Sequence, residues 1–215
     1  MVVRMQAGPP AGRAAAGRMS GAERREQLLD VARAIVSRSG FSAISMEAVA
    51  RAAGVTRPVV YEHFDRLDNL LEALVDRESG RALAQLTATR PRRTPGGDPR
   101  EDLVTSFRAY LEAVEAEPET WRLVLLPPDG APERLRELIT TGRSWNLGHL
   151  SELVAPGVAP GAESPDPALT ARLLSHVAEE SARLLLTNPA EHPVERHIAH
   201  ARWALAMIGT GPSSP

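Results

Sequence analysis

A single glycine, Gly54, divides the run Ser45-Met46-Glu47-Ala48-Val49-Ala50-Arg51-Ala52-Ala53-Gly54-Val55-Thr56-Arg57-Pro58-Val59-Val60-Tyr61-Glu62-His63-Phe64. Both sides have helical spacing. Before the glycine, Met46, Val49, Ala50 and Ala53 share one face, and Ser45 stands where an N-cap hydroxyl is needed. After it, Thr56 occupies a second cap position. Pro58 falls in the first turn, where a missing N–H is tolerated, and Val60 and Phe64 lie four apart on one face. A short helix, a tight turn and a second short helix form a helix-turn-helix, a unit whose second helix enters the major groove of DNA.

The remaining sequence also reads as helical. Aromatic residues make up only 4% of the 215, and apolar residues recur at helical rather than alternating intervals. The expected fold is all-α. A first helix is expected over 21–39, capped by Ser20, with Leu28, Ala32, Ile35 and Val36 inward and Gly40 ending it in a left-handed conformation. A fourth should run over 68–89 with Leu70, Leu71, Leu74, Val75, Leu83 and Leu86 on its buried face. Further helices are expected at 100–116, 118–126, 132–154, 167–187 and 193–208, with Pro- and Gly-rich loops at 90–99 and 155–166. The expected division is a disordered arm over 1–19, a three-helix DNA-binding domain over 20–66, and a helical ligand-binding and dimerisation domain over 67–210.

Charge separates the two ends. All 25 basic residues are Arg; residues 1–66 hold 10 Arg against 6 Asp/Glu, and residues 67–215 hold 15 against 21. A basic front and an acidic remainder direct an anionic partner to the front alone. Several chemistries are excluded or lack a motif. With no Cys there is no disulfide, thiolate metal site or Cys nucleophile. There is no run of 18 apolar residues, no secretory h-region, no Gly-rich phosphate loop and no nucleophile elbow. His192, His197 and His200 cluster without a recognised metal-ligand pattern. The expectation is a cytoplasmic protein with no catalytic residues, no metal, no cofactor and no membrane contact.

Within the helix-turn-helix, Arg57, Pro58, Val59 and Tyr61 are the candidates for reading bases. Arg57 can give two hydrogen bonds to guanine O6 and N7, and Pro58 and Val59 can touch a thymine methyl. Ser45, Tyr61 and His63 suit phosphate contacts. The run Ala50-Arg51-Ala52-Ala53-Gly54-Val55-Thr56, then Val60-Tyr61-Glu62-His63-Phe64 and Leu70-Leu71, resembles the DNA-binding domain of TetR-family transcriptional regulators over about residues 20–75. The resemblance implies an all-α homodimer on a palindromic operator, most often a repressor released by a small effector. It also implies a phosphate-gripping Lys at the start of the fourth helix. Leu67 stands there instead, and Arg66 is the candidate substitute.

Beyond residue 80 the resemblance weakens, and residue types guide the reading. Phe107, Tyr110, Leu111, Trp121, Leu125, Trp145 and His149 are candidates for an effector pocket suited to an apolar or aromatic ligand. Leu174, Val177, Ala178, Ser181 and Leu185, with Ala201, Trp203 and Ala204, form stripes expected at a dimer interface. Two alternatives stay open: a ligand-binding protein or enzyme whose head has lost DNA binding, and a DNA-binding protein controlled by a protein partner.

Overall fold

Local capping chemistry sets where the helices begin. Ser20 starts α1 (Gly21–Ser39): its hydroxyl accepts from the Glu23 N–H, and the Glu23 carboxylate accepts from the Ser20 N–H, a reciprocal capping box. Gly40 ends it with φ 77° and ψ 174°, a region open essentially to glycine alone, while its N–H bonds the Val36 carbonyl. This is positive φ, as expected, but with extended ψ rather than the left-handed helical conformation. A short 3₁₀ turn over Phe41–Ala43 follows, and Phe41 and Ile44 bury themselves in the connection.

The computed structural model describes residues 19–90, 92–128, 130–156, 164 and 166–208. The expected N-terminal arm and most of the 155–166 loop lie outside them. After α1 come α2 (Met46–Ala53), α3 (Arg57–His63), α4 (Leu67–Ala88), α5 (Pro99–Ala116), α6 (Pro118–Leu125), α7 (Glu133–Val154), α8 (Pro167–Thr187) and α9 (Val194–Ile208). No strand occurs among the described residues. The all-α expectation holds, with boundaries within a residue or two of those read from the sequence.

Two apolar clusters divide the molecule. The first joins α1, α2 and α3 through Leu28, Val36, Val49, Val60 and Phe64, and it continues into Leu70, Leu74 and Val75 of α4, Leu123 of α6 and Leu135 of α7. The second gathers Ala82 of α4, Val104, Leu111 and Val114 of α5, Trp121 and Leu125 of α6, Leu185 of α8 and Ile198 of α9. Helices α4 and α6 therefore belong to both. A boundary drawn at residue 66 cuts through continuous core. Leu29, absent from the expected α1 stripe, is buried with it, and Leu83, expected inward on α4, is 44% exposed.

Where the clusters meet, a carboxylate is buried. Glu78 of α4 is only 1% exposed. Its Oε1 accepts from Arg77 Nε at 2.8 Å and from Arg81 Nη1 at 3.3 Å, and its Oε2 accepts from the Thr120 hydroxyl at 2.5 Å. Arg33 of α1 reaches both Glu78, at 3.7 Å, and Glu119 of α6, at 3.0 Å. Arg77 also holds Glu26 (2.8 Å) and Asp30 (3.0 Å) of α1. Burial works against the Arg77 charge, but its hydrogen bonds and carboxylate neighbours outweigh burial and raise its pKa. The network ties α1, α4 and α6 at one point.

Removing one member of a buried charged set leaves its partners uncompensated. Glu78→Ala should lower stability by about 3 kcal/mol in urea unfolding. Arg134→Ala breaks the exposed pair with Asp76 and should change stability by less than about 1 kcal/mol.

Candidate nucleic-acid interface and ligand cavity

The turn between α2 and α3 positions the candidate DNA-reading face. Ser45 Oγ accepts from the Ala48 N–H at 3.1 Å and so begins α2. Its hydroxyl hydrogen remains to be given to a phosphate oxygen. Gly54 takes φ 67° and ψ 30°, the left-handed region, and its N–H bonds the Ala50 and Arg51 carbonyls. Val55 then donates to Ala50 and anchors the turn. Thr56 occupies the N-cap position of α3 but makes no capping hydrogen bond; the cap expected from its side chain is not formed.

One face of α3 is fixed in the core. Val60 is fully buried and Phe64 nearly so, with the Arg25 guanidinium 4.6 Å from the Phe64 ring centroid. The opposite face carries Arg57, Pro58 and Tyr61 outward, with Val59 half-buried beside them. Arg57 and Tyr61 stand one turn apart on this exposed face. The adjacent Tyr61 side chain, then the Glu47 carboxylate, raise the Arg57 pKa.

The expected phosphate positions flank this face. His63 is half-buried at the end of α3, close to Gly21 at the start of α1. Arg66 is the N-cap residue of α4, exposed, with its Nε bonded to Asn69 Oδ1 at 3.0 Å and its terminal nitrogens directed to no carboxylate among the described residues. Leu67 packs against the first cluster. The Lys-to-Leu departure thus adds core contact at the base of α4, while a cation remains one residue earlier. The charge asymmetry narrows on inspection: residues 19–66 hold 7 Arg against 6 Asp/Glu, so Arg4, Arg13 and Arg18, outside the described residues, carry the excess.

The body encloses a cavity of about 760 Å³ lined by α4 through α9, a volume typical of small-molecule sites. Of the seven residues expected there, Phe107, Tyr110, Trp121, Leu125 and Trp145 line it. Leu111 is instead solid core, fully buried in the second cluster, and His149 is half-buried away from the lining. Trp121 stands edge-on to Tyr110, with centroids 5.2 Å apart, and gives its Nε1–H to Gln85 Oε1 at 2.7 Å. Burial pushes the Tyr110 phenol pKa well above its ordinary value, so it stays neutral. Leu83, the residue misplaced by helical periodicity, also lines the cavity. Helical spacing distinguishes inward from outward and does not distinguish packed from hollow.

The stripes expected at a dimer interface divide. Leu185 and Ser181 are buried within the chain's own body. Leu174, Val177, Ala178, Ala201 and Ala204 line the cavity. Val177 and Trp203 are surface-exposed, joined by Leu173 of α8 and Met207 of α9, which the same helical stripes include, and by Leu169 of α8, which they do not. Their spacing of four along each helix was the available signal. Among the described residues, no group of three or more His, Asp or Glu is placed to hold a metal. No helix among them is long and apolar enough to cross a membrane.

Residues 28–74 match the family described as "Bacterial regulatory proteins, tetR family". The chain is similar to the HTH-type transcriptional activator FasR of Mycolicibacterium smegmatis, 31% identical over 121 residues that cover 54% of this chain and 52% of FasR. It therefore spans about half the length of the curated relative it matches. Its fold is that of a TetR-like transcriptional regulator from Rhodococcus sp. RHA1, with TM-score 0.67 at 23% identity over 88% of this chain and 99% of that one. It is also similar to SmeT, solved as a complex with triclosan, with TM-score 0.62 at 25% identity over 88% and 93% of the two chains.

A Cβ added at Gly54 would meet no atom within 4 Å, so only its positive φ opposes substitution. Gly54→Ala should destabilise the protein by about 1–2 kcal/mol in thermal or urea unfolding, and Gly54→Asn by less.

Proposed function

We propose that this chain, which carries the TetR-family amino-terminal domain, is a sequence-specific DNA-binding transcriptional regulator that acts as a homodimer. It is not an enzyme, and it works in the cytoplasm. The observation that carries the reading is the outward face of α3. Arg57, one turn from Tyr61, stands at the exposed start of a helix whose other face is locked into core by Val60 and Phe64. In this reading Arg57, Pro58, Val59 and Tyr61 read bases, and Ser45, Tyr61, His63 and Arg66 hold phosphates. One head offers a single half-site; two heads related by a two-fold axis match a palindromic operator. The exposed Leu169, Leu173, Val177, Trp203 and Met207 supply an apolar patch for the second copy.

The effector is a small, largely apolar molecule in the cavity. The triclosan complex of SmeT supports such a site in a protein of this fold. Repression is the proposed sign of regulation, relieved when the effector favours an arrangement of α4 that misaligns the heads. An in vitro transcription assay on the chain's own promoter checks it: added protein should lower the transcript, and effector should restore it.

DNA binding is tested by retardation of the chain's upstream DNA, with affinity falling steeply as salt rises. Arg57→Ala should relax preference at one base pair, a loss of about 1–3 kcal/mol in discrimination. His63→Ala should weaken operator and random DNA alike. A protein that dimerises but retards no DNA under low salt would instead be a ligand-binding protein on this scaffold.

A further inference from the structure

The charged groups lining the cavity are paired, with one exception. Asp76 meets Arg134 at 3.3 Å. Arg143 gives Glu179 two hydrogen bonds, of 3.1 and 2.9 Å, and Glu179 also accepts from Arg183 at 2.8 Å. Arg90 has no carboxylate within ion-pair distance among the described residues. Its guanidinium carbon lies 4.3 Å from the centroid of the Trp145 ring, and its Nε is buried without a hydrogen-bond acceptor. Both side chains line the cavity. Trp145 is 39% exposed, so the pair stands where the cavity approaches the surface.

An aromatic ring occupies the face of a guanidinium and offers no acceptor, so it leaves the in-plane N–H donors of Arg90 available, the buried Nε–H among them without an acceptor among the described residues. The end of α4 does not use them either. The Thr89 hydroxyl bonds the Gln85 and Leu86 carbonyls, and the Thr89 N–H bonds Gln85. Elsewhere the walls are mainly apolar, including Leu86, Phe107, Leu138, Ile139 and Leu150. The neutral Tyr110 phenol adds no negative charge, and the Glu179 carboxylate is already offset by two arginines.

We propose that the cavity is built for an amphipathic carboxylate whose head pairs with Arg90 beside Trp145 and whose apolar body fills the space between α4, α5 and α7. The inference rests on reading the cavity as the effector site and names the chemistry of its occupant. A carboxylate matches the planar fork with two charge-assisted hydrogen bonds. A neutral ligand of the same shape leaves the donors unmatched, and a cationic one meets like charge.

The test uses the full chain and three probes with the same chain length: dodecanoate, 1-dodecanol and dodecyltrimethylammonium, each below its micelle concentration. Two of the three Trp residues line the cavity, so intrinsic fluorescence reports binding. Dodecanoate should bind at least about tenfold more tightly than dodecanol, the amount expected of a charge-assisted pair in a partly dry site. Arg90→Gln should erase that ratio while leaving dodecanol affinity within about twofold. Arg90→Lys, which keeps the charge but loses the fork, should retain part of it and serves if the Gln variant fails to fold. Equal affinity for acid and alcohol, preference for the cation, no binding of dodecanoate, or a preference that survives Arg90→Gln would overturn the proposal. Operator retardation on the same preparation separates the two readings. Intact DNA binding without carboxylate preference sinks only the ligand class, and carboxylate preference without DNA binding sinks only the regulator.

Discussion

The buried carboxylate of Glu78 is the contact on which the arrangement of the two halves depends. Its own helix, α4, supplies Arg77 and Arg81, and the neighbouring helices supply Arg33 and Thr120. An unpaired carboxylate so deeply buried is strongly disfavoured, so the site is stable only when α1, α4 and α6 are all in register around it. Apolar packing fixes distances by close contact but does not choose which groups must meet. A charged hydrogen-bonded set fixes them tightly, because each donor lost leaves an uncompensated charge. The head is thereby held to the body at a defined angle, with close-packed apolar clusters on either side.

That rigidity reaches α3 through short links. Helix α1 carries Arg33, Glu26 and Asp30 at the network, and it packs Leu28 and Val36 against the same core that holds Val60 and Phe64 of α3. Arg25, on the same helix, lies over Phe64. A displacement of α4 is therefore passed to α3 as a rigid-body rotation rather than absorbed as local loosening.

Much of this was legible in the residues, and the failures have physical causes. Caps, prolines and glycines act within a few residues, so Ser20, Ser45, Gly54 and Pro58 located helix ends correctly. The Thr56 cap failed because a cap position and a cap hydrogen bond are different things: the backbone turned there without the hydroxyl. Periodicity placed Leu70 and Leu74 inward but also placed Leu83, which lines a cavity, because burial in a wall and burial in a core share one hydropathy pattern. Residue type identified five cavity residues, while Leu111 and His149 were misassigned because packing partners are set by helices far away in sequence. The Glu78 network was invisible for the same reason. Glu26, Asp30 and Arg33 look like an ordinary solvated helix face until α4 and α6 are laid against it. Arg90 was passed over within a Pro- and Arg-rich loop, and its meaning came from Trp145, 55 residues later.

Under the proposed function, helix α4 decides what a ligand does to DNA binding. Its first half, through Leu70, Leu74 and Val75, is head core, and its second half, through Ala82 and Leu86, walls or abuts the cavity. Glu78 sits between them. Because the helix is continuous, a ligand that shifts its far half must either move the near half or break the charged set. Breaking that set costs about as much as a small molecule's whole binding energy at millimolar affinity, so movement of the head is the less costly response. A ligand that fits both arrangements of α4 equally, however tightly it binds, shifts nothing. Coupling must also run in reverse: DNA that favours one head placement changes ligand affinity by the same factor. The strength of regulation in such a chain is thus set less by how well the cavity is filled than by how differently it is shaped when the heads move.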